Sequence, residues 1–293
     1  MAANIRVMTH NVWREDDNMP AWEERGYDCS AAARIKGHLR VYSETLPDII
    51  GYQEMSPRMA DLLKEGLAEC VPGKYTLIWG RDTPILYRTD KFELIDSEFG
   101  AYPEFIDGYE GSFNNSDSYN QKTKTWNIAV FRIKENGELF IFATTHLWWK
   151  AEPTSPECTA SNYQKHSDAA REYQIKMLTE RIDTYCEQYG CPVILVGDLN
   201  TGYNSKAIQY ALSVGYRHAH DIATDYAEES VGYHYCFPNG FKTEYYDKPF
   251  EWAIDHILLL GEKDGAVKRF ERYSPDYYFP ISDHSPAYID IEL

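Results

Sequence analysis

Six clusters of acid, amide and imidazole side chains stand at the ends of strand-like runs: His10-Asn11-Val12, Gln53-Glu54, Thr145-His146-Leu147, Asp198-Leu199-Asn200, Ile254-Asp255-His256 and Ser282-Asp283-His284-Ser285-Pro286. The most informative is Gly197-Asp198-Leu199-Asn200, which follows the fully apolar run Pro192-Val193-Ile194-Leu195-Val196. Such a run reads as a strand buried on both faces inside a layered α/β core. The residues just past it lie at the carboxyl edge of a sheet, where ligands usually bind. An acid and an amide two residues apart on that edge form a rigid pair for hydrogen bonding and charge handling. Alone, Asp198-Leu199-Asn200-Thr201-Gly202 reads equally well as turn chemistry. Six such groups, all at strand ends and spread over the whole chain, are not explained by turns.

The elements that must carry these groups follow from apolar patterning. Strands are expected at Ile5–Met8, Asp48–Tyr52, Tyr75–Trp79 and Pro84–Tyr87. Trp126–Ile133 and Leu139–Thr145 form a hairpin about Asn136-Gly137, a strong turn dipeptide. Later strands are expected at Val193–Val196, Trp252–Leu260, Val267–Tyr273 and Ala287–Leu293. Helices are expected at Ser30–Glu44, at Arg58–Leu67 behind the cap Ser56-Pro57, at Ser167–Tyr189 and at Ser205–Val214. In the longest, Ile175, Leu178, Ile182 and Tyr185 recur at helical spacing. Strands with both hairpin and helix-separated neighbours imply mixed sheets. Two sheets, each backed by helices, give an α/β fold of the α+β type, a four-layer sandwich in one domain over residues 1–293. Three loops, 102–125, 148–166 and 233–250, are rich in aromatic side chains, for which packing is favoured over ligand stacking.

Composition limits the choices further. The chain has 293 residues and a formal net charge of −17. A protein gripping long nucleic acid needs cations against phosphates, so this balance disfavours a nucleic-acid partner and favours a small charged substrate. Cations near the clusters are sparse: Lys122, Lys124, Lys150, Lys165 and Arg171. No run approaches the ~18 apolar residues of a membrane span. The six cysteines, Cys29, Cys70, Cys158, Cys186, Cys191 and Cys236, include no Cys-x-x-Cys. Scattered thiols and the lack of a basic-then-apolar leader lead to the expectation of a reduced, cytoplasmic protein.

The blocks Thr9-His10-Asn11-Val12, Asp48 to Glu54, Thr145-His146-Leu147, Gly197-Asp198-Leu199-Asn200 and Ser282 to Pro286 resemble, in order, those of the endonuclease/exonuclease/phosphatase superfamily with the DNase I-like fold. The resemblance runs from Asn11 to Pro286. It implies a metal-dependent phosphoesterase that hydrolyses a phosphomono- or phosphodiester by in-line attack of an activated water. It implies Glu54 as the principal ligand of Mg²⁺, or of Mn²⁺, with Asn11 and Asp283 beside the metal. By the same resemblance Asp198 activates the water and Asn200 holds the phosphate or that water. His146 and His284 donate hydrogen bonds to phosphoryl oxygens, and Asp255 fixes the tautomer of His284. Arg171 and Gln174 are expected to support the His146 loop, and His10 and His256 to be structural. Two features depart from the abasic-site endonucleases: Trp13 stands where their metal-site acid lies, and neither Tyr109 nor Tyr119 sits in their tyrosine motif. The basic residues that mark inositol 5-phosphatases are also missing.

Three functions remain in contention. A phosphoesterase for a small or headgroup-sized ester leads. A nuclease for DNA or RNA would require a local basic groove. A non-catalytic glycan- or protein-binding module would have lost an acid or histidine from the core set, and none is missing.

Overall fold

Two mixed six-stranded sheets face each other in the computed structural model, which describes residues 2–293 except Arg25, Pro72, 115–121, 153–162, 227–252, Ser274 and Phe279. The first sheet holds β1 (Asn4–Asn11), β2 (Ile49–Gln53), β3 (Tyr75–Ile78), β4 (Ile85–Arg88), β11 (Val267–Arg272) and β12 (Ala287–Glu292) in the order β11-β12-β1-β2-β4-β3. The second holds β5 (Phe92–Ala101), β6 (Thr125–Ile133), β7 (Leu139–His146), β8 (Val193–Asp198), β9 (Arg217–His218) and β10 (Asp255–Leu260) in the order β5-β6-β7-β8-β10-β9. Each sheet has one parallel pair at its centre, β1 with β2 and β7 with β8, flanked by antiparallel neighbours.

Strand alternation makes the layers. Val7, Ile49, Ile85, Phe131, Phe142, Val196, Ile257 and Ile289 meet between the sheets. The other face of the first sheet packs on α2 (Ala31–Thr45) and α3 (Pro57–Cys70), and that of the second on α4 (Ser167–Tyr189) and α5 (Lys206–Ser213). Ser30, Ser56 and Ser205 cap α2, α3 and α5, each accepting from a first-turn amide. Short helices α1 (Pro20–Glu23) and α6 (Ala219–Ile222) and a 3₁₀ turn at Asp276–Tyr278 complete the described helices. None is long and apolar enough to cross a membrane. The architecture is the expected four-layer sandwich.

Some elements differ from expectation. No strand is expected over 92–101, yet β5 forms there as an edge strand whose Glu93, Asp96 and Glu98 break the apolar pattern. The strand expected from Trp252 begins at Asp255, and Trp252 itself lies outside the described residues. So do the 233–250 loop, Tyr119, Cys158 and Cys236. Cys29, Cys70, Cys186 and Cys191 are free thiols.

Candidate active site

Register places the clusters in one row. His146 lies opposite Asp198 in the parallel β7–β8 ladder, and Asp198 lies opposite Asp255 in the antiparallel β8–β10 ladder. Asn11 lies opposite Gln53 at the end of the β1–β2 pair in the facing sheet. The two sheets approach closely at this end. A Cβ on Gly51 would stand 2.5 Å from Val196 Cγ2 and 2.7 Å from Thr144 Cβ, so only glycine fits there. Gly197, before Asp198, is confined by backbone: a Cβ would lie 2.1 Å from the Thr145 carbonyl oxygen.

Asp198 is the centre of the row. Its Oδ2 accepts from Asn11 Nδ2 at 3.0 Å, and its Oδ1 from the Asn200 amide at 2.8 Å. His146 Nε2 is 3.4 Å and His284 Nε2 3.7 Å from the same Oδ2. Burial pushes the Asp198 carboxyl above the usual range, while the two histidines pull it down. Asn200 donates through Nδ2 to the Leu147 carbonyl at 3.0 Å. Glu54 and Asn200, just past β2 and β8, both hold left-handed backbones, with φ of 61° and 50°. Such conformations are uncommon outside glycine and turn the chain sharply away from its strand.

Each histidine is backed by a carboxylate. His284 Nδ1 donates to Asp255 Oδ2 at 2.8 Å. Burial opposes a charged His284, but Asp255 and Asp198 more than offset it and hold the imidazole well above its ordinary value. His146 Nδ1 donates to Asp82 Oδ2, also at 2.8 Å. Asp82 also accepts from Arg14. Lys124 Nζ lies 2.8 Å from His146 Nε2 and 3.1 Å from Nδ1, close to both nitrogens and so resting against the ring. Asp82 and Arg14 as site residues escape sequence reasoning, where Lys124 figures only as one of five cations near the clusters. Asp82 sits in an ordinary turn, and a lone lysine before a strand reads as solvated.

The carboxylates beside Asp198 suit a hard cation. Asp283 Oδ1 is buried with no hydrogen-bond partner. Burial, with Glu54 and Asp198 adding to it, pushes the Asp283 carboxyl up to about 7 even though His284 opposes the shift. Glu54 Oε2 accepts from the Arg14 amide at 3.1 Å, and Oε1 is 3.9 Å from His146 Nε2. Glu54 and Asp283 act on each other electrostatically, and with the orphaned oxygen of Asp283 they are a donor set that fits Mg²⁺ or Mn²⁺. Asn11, the third expected ligand, uses Nδ2 on Asp198 and accepts the Trp13 amide at Oδ1.

The loops are held from behind. Arg34 on α2 is buried and makes five hydrogen bonds, to the carbonyls of Val12, Trp13, Glu15, Cys29 and Ile281. It thereby ties the segment after β1 to the segment that carries Asp283. Ser282 Oγ donates to the Asn11 carbonyl at 2.9 Å, a second link between those segments. Arg171 donates to the Trp148 and Lys150 carbonyls, and Gln174 Oε1 accepts the Trp148 amide, bracing the chain after His146. His10 points away from the row and bonds to Tyr42 and Tyr278. His256 bonds to His218 and to the Thr201 carbonyl. In the aromatic loops, Phe113 packs edge-on against Trp148 and Tyr102 is buried, while Trp149 and Tyr109 are exposed.

A four-layer sandwich with acids, amides and histidines gathered at one end of its facing sheets is the DNase I-like class of hydrolase fold. Residues 8–284 match the profile of the Endonuclease/Exonuclease/phosphatase family, and the chain belongs to that family. An endonuclease/exonuclease/phosphatase family protein from Bacteroides thetaiotaomicron is similar in structure, with a TM-score of 0.73 and 20% identity over 100% of this chain and 98% of that one. A mannosyl-6-phosphatase from Bacteroides thetaiotaomicron VPI-5482 has a TM-score of 0.70 and 20% identity over 99% of each chain. TDP2 from D. rerio, complexed with a single strand DNA product, has a TM-score of 0.63 and 17% identity over 98% of each chain. At these identities the likeness establishes the fold. No curated protein matches the chain by sequence.

Proposed function

We propose that the chain is a metal-dependent phosphoesterase that hydrolyses a small or headgroup-sized phosphoester. The observation that carries this reading is Asp198 Oδ2, faced by the Nε2 atoms of His146 and His284 at 3.4 and 3.7 Å and fixed by Asn11 at 3.0 Å. Asp198 orients the attacking water and takes its proton, while Asn200 holds the phosphoryl group or that water. The water oxygen attacks phosphorus in line as the ester oxygen leaves. His284, charged and oriented by Asp255, donates to the phosphoryl oxygens, and His146 supports the other side of the group. Glu54 and Asp283 would hold the divalent ion, with Asn11 at its edge, and the ion would neutralise phosphoryl charge.

Substrate size is read from the cations. Of the five cations near the clusters, Lys124 is buried against His146 and Arg171 is buried in contacts of the fold. Lys165 pairs with Glu110 at 3.6 Å and Lys150 lies over the Trp148 and Trp149 rings, which leaves Lys122. That leaves little for a polyanion backbone in a chain of net charge −17. The similarity to a mannosyl-6-phosphatase agrees with a sugar-phosphate-sized ester. The similarity to a DNA-bound relative is what favours the second reading, a nuclease.

The test is hydrolysis of p-nitrophenyl phosphate and bis-p-nitrophenyl phosphate with Mg²⁺, Mn²⁺ or EDTA, in wild type and Asp198→Asn. Metal-dependent turnover, lowered by about 10²–10⁴ in the variant, is expected. Turnover that survives Asp198→Asn would remove Asp198 from its role. Preferential cleavage of an oligonucleotide, with activity falling steeply as salt rises, would favour the nuclease.

A further inference from the structure

We propose that His10 is a positioning residue, which fixes the segment carrying Asp283 and His284 against β1 from the face opposite Asn11. The inference deepens the phosphoesterase reading above and rests on it. Strand alternation sends the side chains of His10 and Asn11 to opposite faces of the first sheet. Asn11 meets Asp198 of the facing sheet at 3.0 Å. His10 is buried on the helix side and engages both ring nitrogens. Its Nδ1 is 2.8 Å from the Tyr42 hydroxyl on α2, and its Nε2 bonds to the Tyr278 hydroxyl. An imidazole can donate from one nitrogen and accept at the other, so a single ring links both hydroxyls to β1.

Tyr278 leads directly to the site. It ends the 3₁₀ turn Asp276–Tyr278, is fully buried, and accepts the Ile281 amide at its carbonyl at 2.8 Å. The next residue, Ser282, donates through Oγ to the Asn11 carbonyl at 2.9 Å and accepts the His284 amide at 3.2 Å. Two neighbouring residues of β1 are therefore tied to one short segment, His10 at Tyr278 and Asn11 at Ser282. The segment lies flush on α2, since a Cβ on Gly37 would stand 2.5 Å from Ile281 Cδ1. His38 packs edge-on against both rings, with centroids 5.0 Å from His10 and 6.0 Å from Tyr278. Without the His10 bond the turn loses its tie to β1. His284, whose Nε2 is 3.7 Å from Asp198 Oδ2, then loses its fixed place beside that carboxylate.

The experiment compares the full wild-type chain with His10→Phe, Tyr278→Phe, their double variant and Tyr42→Phe, each checked for folding by urea denaturation. Two quantities are read: the nuclear magnetic resonance of the His284 Nδ1 proton held by Asp255, and kcat and KM for p-nitrophenyl esters with Mn²⁺. His10→Phe and Tyr278→Phe are each expected to shift the His284 proton and to lower kcat about 10–100-fold with KM little changed. The double variant should do no more than either single one, because all three remove the same bond. Tyr42→Phe cuts the anchor to α2 and leaves the Tyr278 bond in place, so it should lose stability and keep the proton and kcat near wild type. A folded His10→Phe with the wild-type proton and kcat would overturn the proposal, as would additive losses in the double variant or equal losses in Tyr42→Phe. Should His10→Phe not fold, Tyr278→Phe against Tyr42→Phe decides. The proton is read without turnover. Its displacement in a chain that hydrolyses no phosphoester would sink the functional reading and spare this one, and turnover with an unmoved proton and unchanged kcat would do the reverse.

Discussion

Asp82 reaches from the β3–β4 connection of one sheet to His146 at the end of β7 in the other, Oδ2 to Nδ1, at 2.8 Å. Burial pushes the Asp82 carboxyl up, but His146, Arg14 and Lys124 together hold it well below the usual range. It therefore stays ionised and fixes the orientation of the ring. Replacing the orienting partner of a functional histidine typically lowers activity about 10–100-fold. Asp82→Asn is expected to lower kcat by that amount in steady-state assays, and a wild-type kcat would show that His146 needs no such support.

Arg34 joins the segment after β1 to the segment that carries Asp283 through five carbonyl contacts. Arg34→Met leaves those buried acceptors unpaired, with a loss of roughly 3 kcal/mol or more. Arg34→Lys can satisfy only some of them. Urea unfolding should rank wild type above lysine above methionine, and Mn²⁺ affinity should fall in the lysine variant while it remains folded. Unchanged affinity would confine Arg34 to a packing role.

Buried histidines set a pH dependence of stability. Burial, with neighbouring cationic groups, holds His38 and His218 well below the ordinary histidine value, and burial pushes His256 down to about 4. The unfolded chain takes up these protons near pH 6.5 or so. Below that pH the unfolded state binds more protons than the folded one, so stability falls as pH falls toward about 4. His38 has both ring nitrogens buried without hydrogen-bond partners. His38→Phe should lose less stability on acidification than wild type, by up to about 1.4 kcal/mol per pH unit. Parallel profiles of urea midpoint against pH would mean that His38 titrates normally when folded.

Gly51 marks the tightest approach of the sheets. Gly51→Ala puts a methyl 2.5 Å from Val196 Cγ2, and relief requires the sheets to part beside Asp198. A cost of about 1–3 kcal/mol is expected, together with a drop in kcat larger than the change in KM. Full activity in a destabilised variant would show that the strain spreads away from the site.

Much of this arrangement can be read in the sequence because each local signal agreed with the next. The apolar run before Gly197-Asp198 reads as an interior strand, and its register brings His146 and Asp255 alongside. Asp82 is invisible in sequence because its partner is 64 residues away in the other sheet and its neighbours are common turn residues. Lys124 is legible only as a cation near the clusters, since an isolated lysine usually projects into water and its contact with His146 joins residues 22 positions apart. β5 is masked by its own exposure: an edge strand with one solvated face carries acids wherever the pleat turns outward.

The pairing of β1 with β12, from Asn4 opposite Glu292 to Thr9 opposite Ala287, also joins the two ends of the chain. All strands of the second sheet lie between Phe92 and Leu260, so it can form while the last part of the chain is still free. The first sheet cannot close until β12 arrives and completes a loop nearly as long as the chain, a slow step in any nascent chain. His146, Asp198 and Asp255 would then be aligned early, whereas Asn11 and Asp283 meet them only at the end. A partly made chain would hold His146, Asp198 and Asp255 without Asn11 and Asp283, so the row is complete only with the final closure.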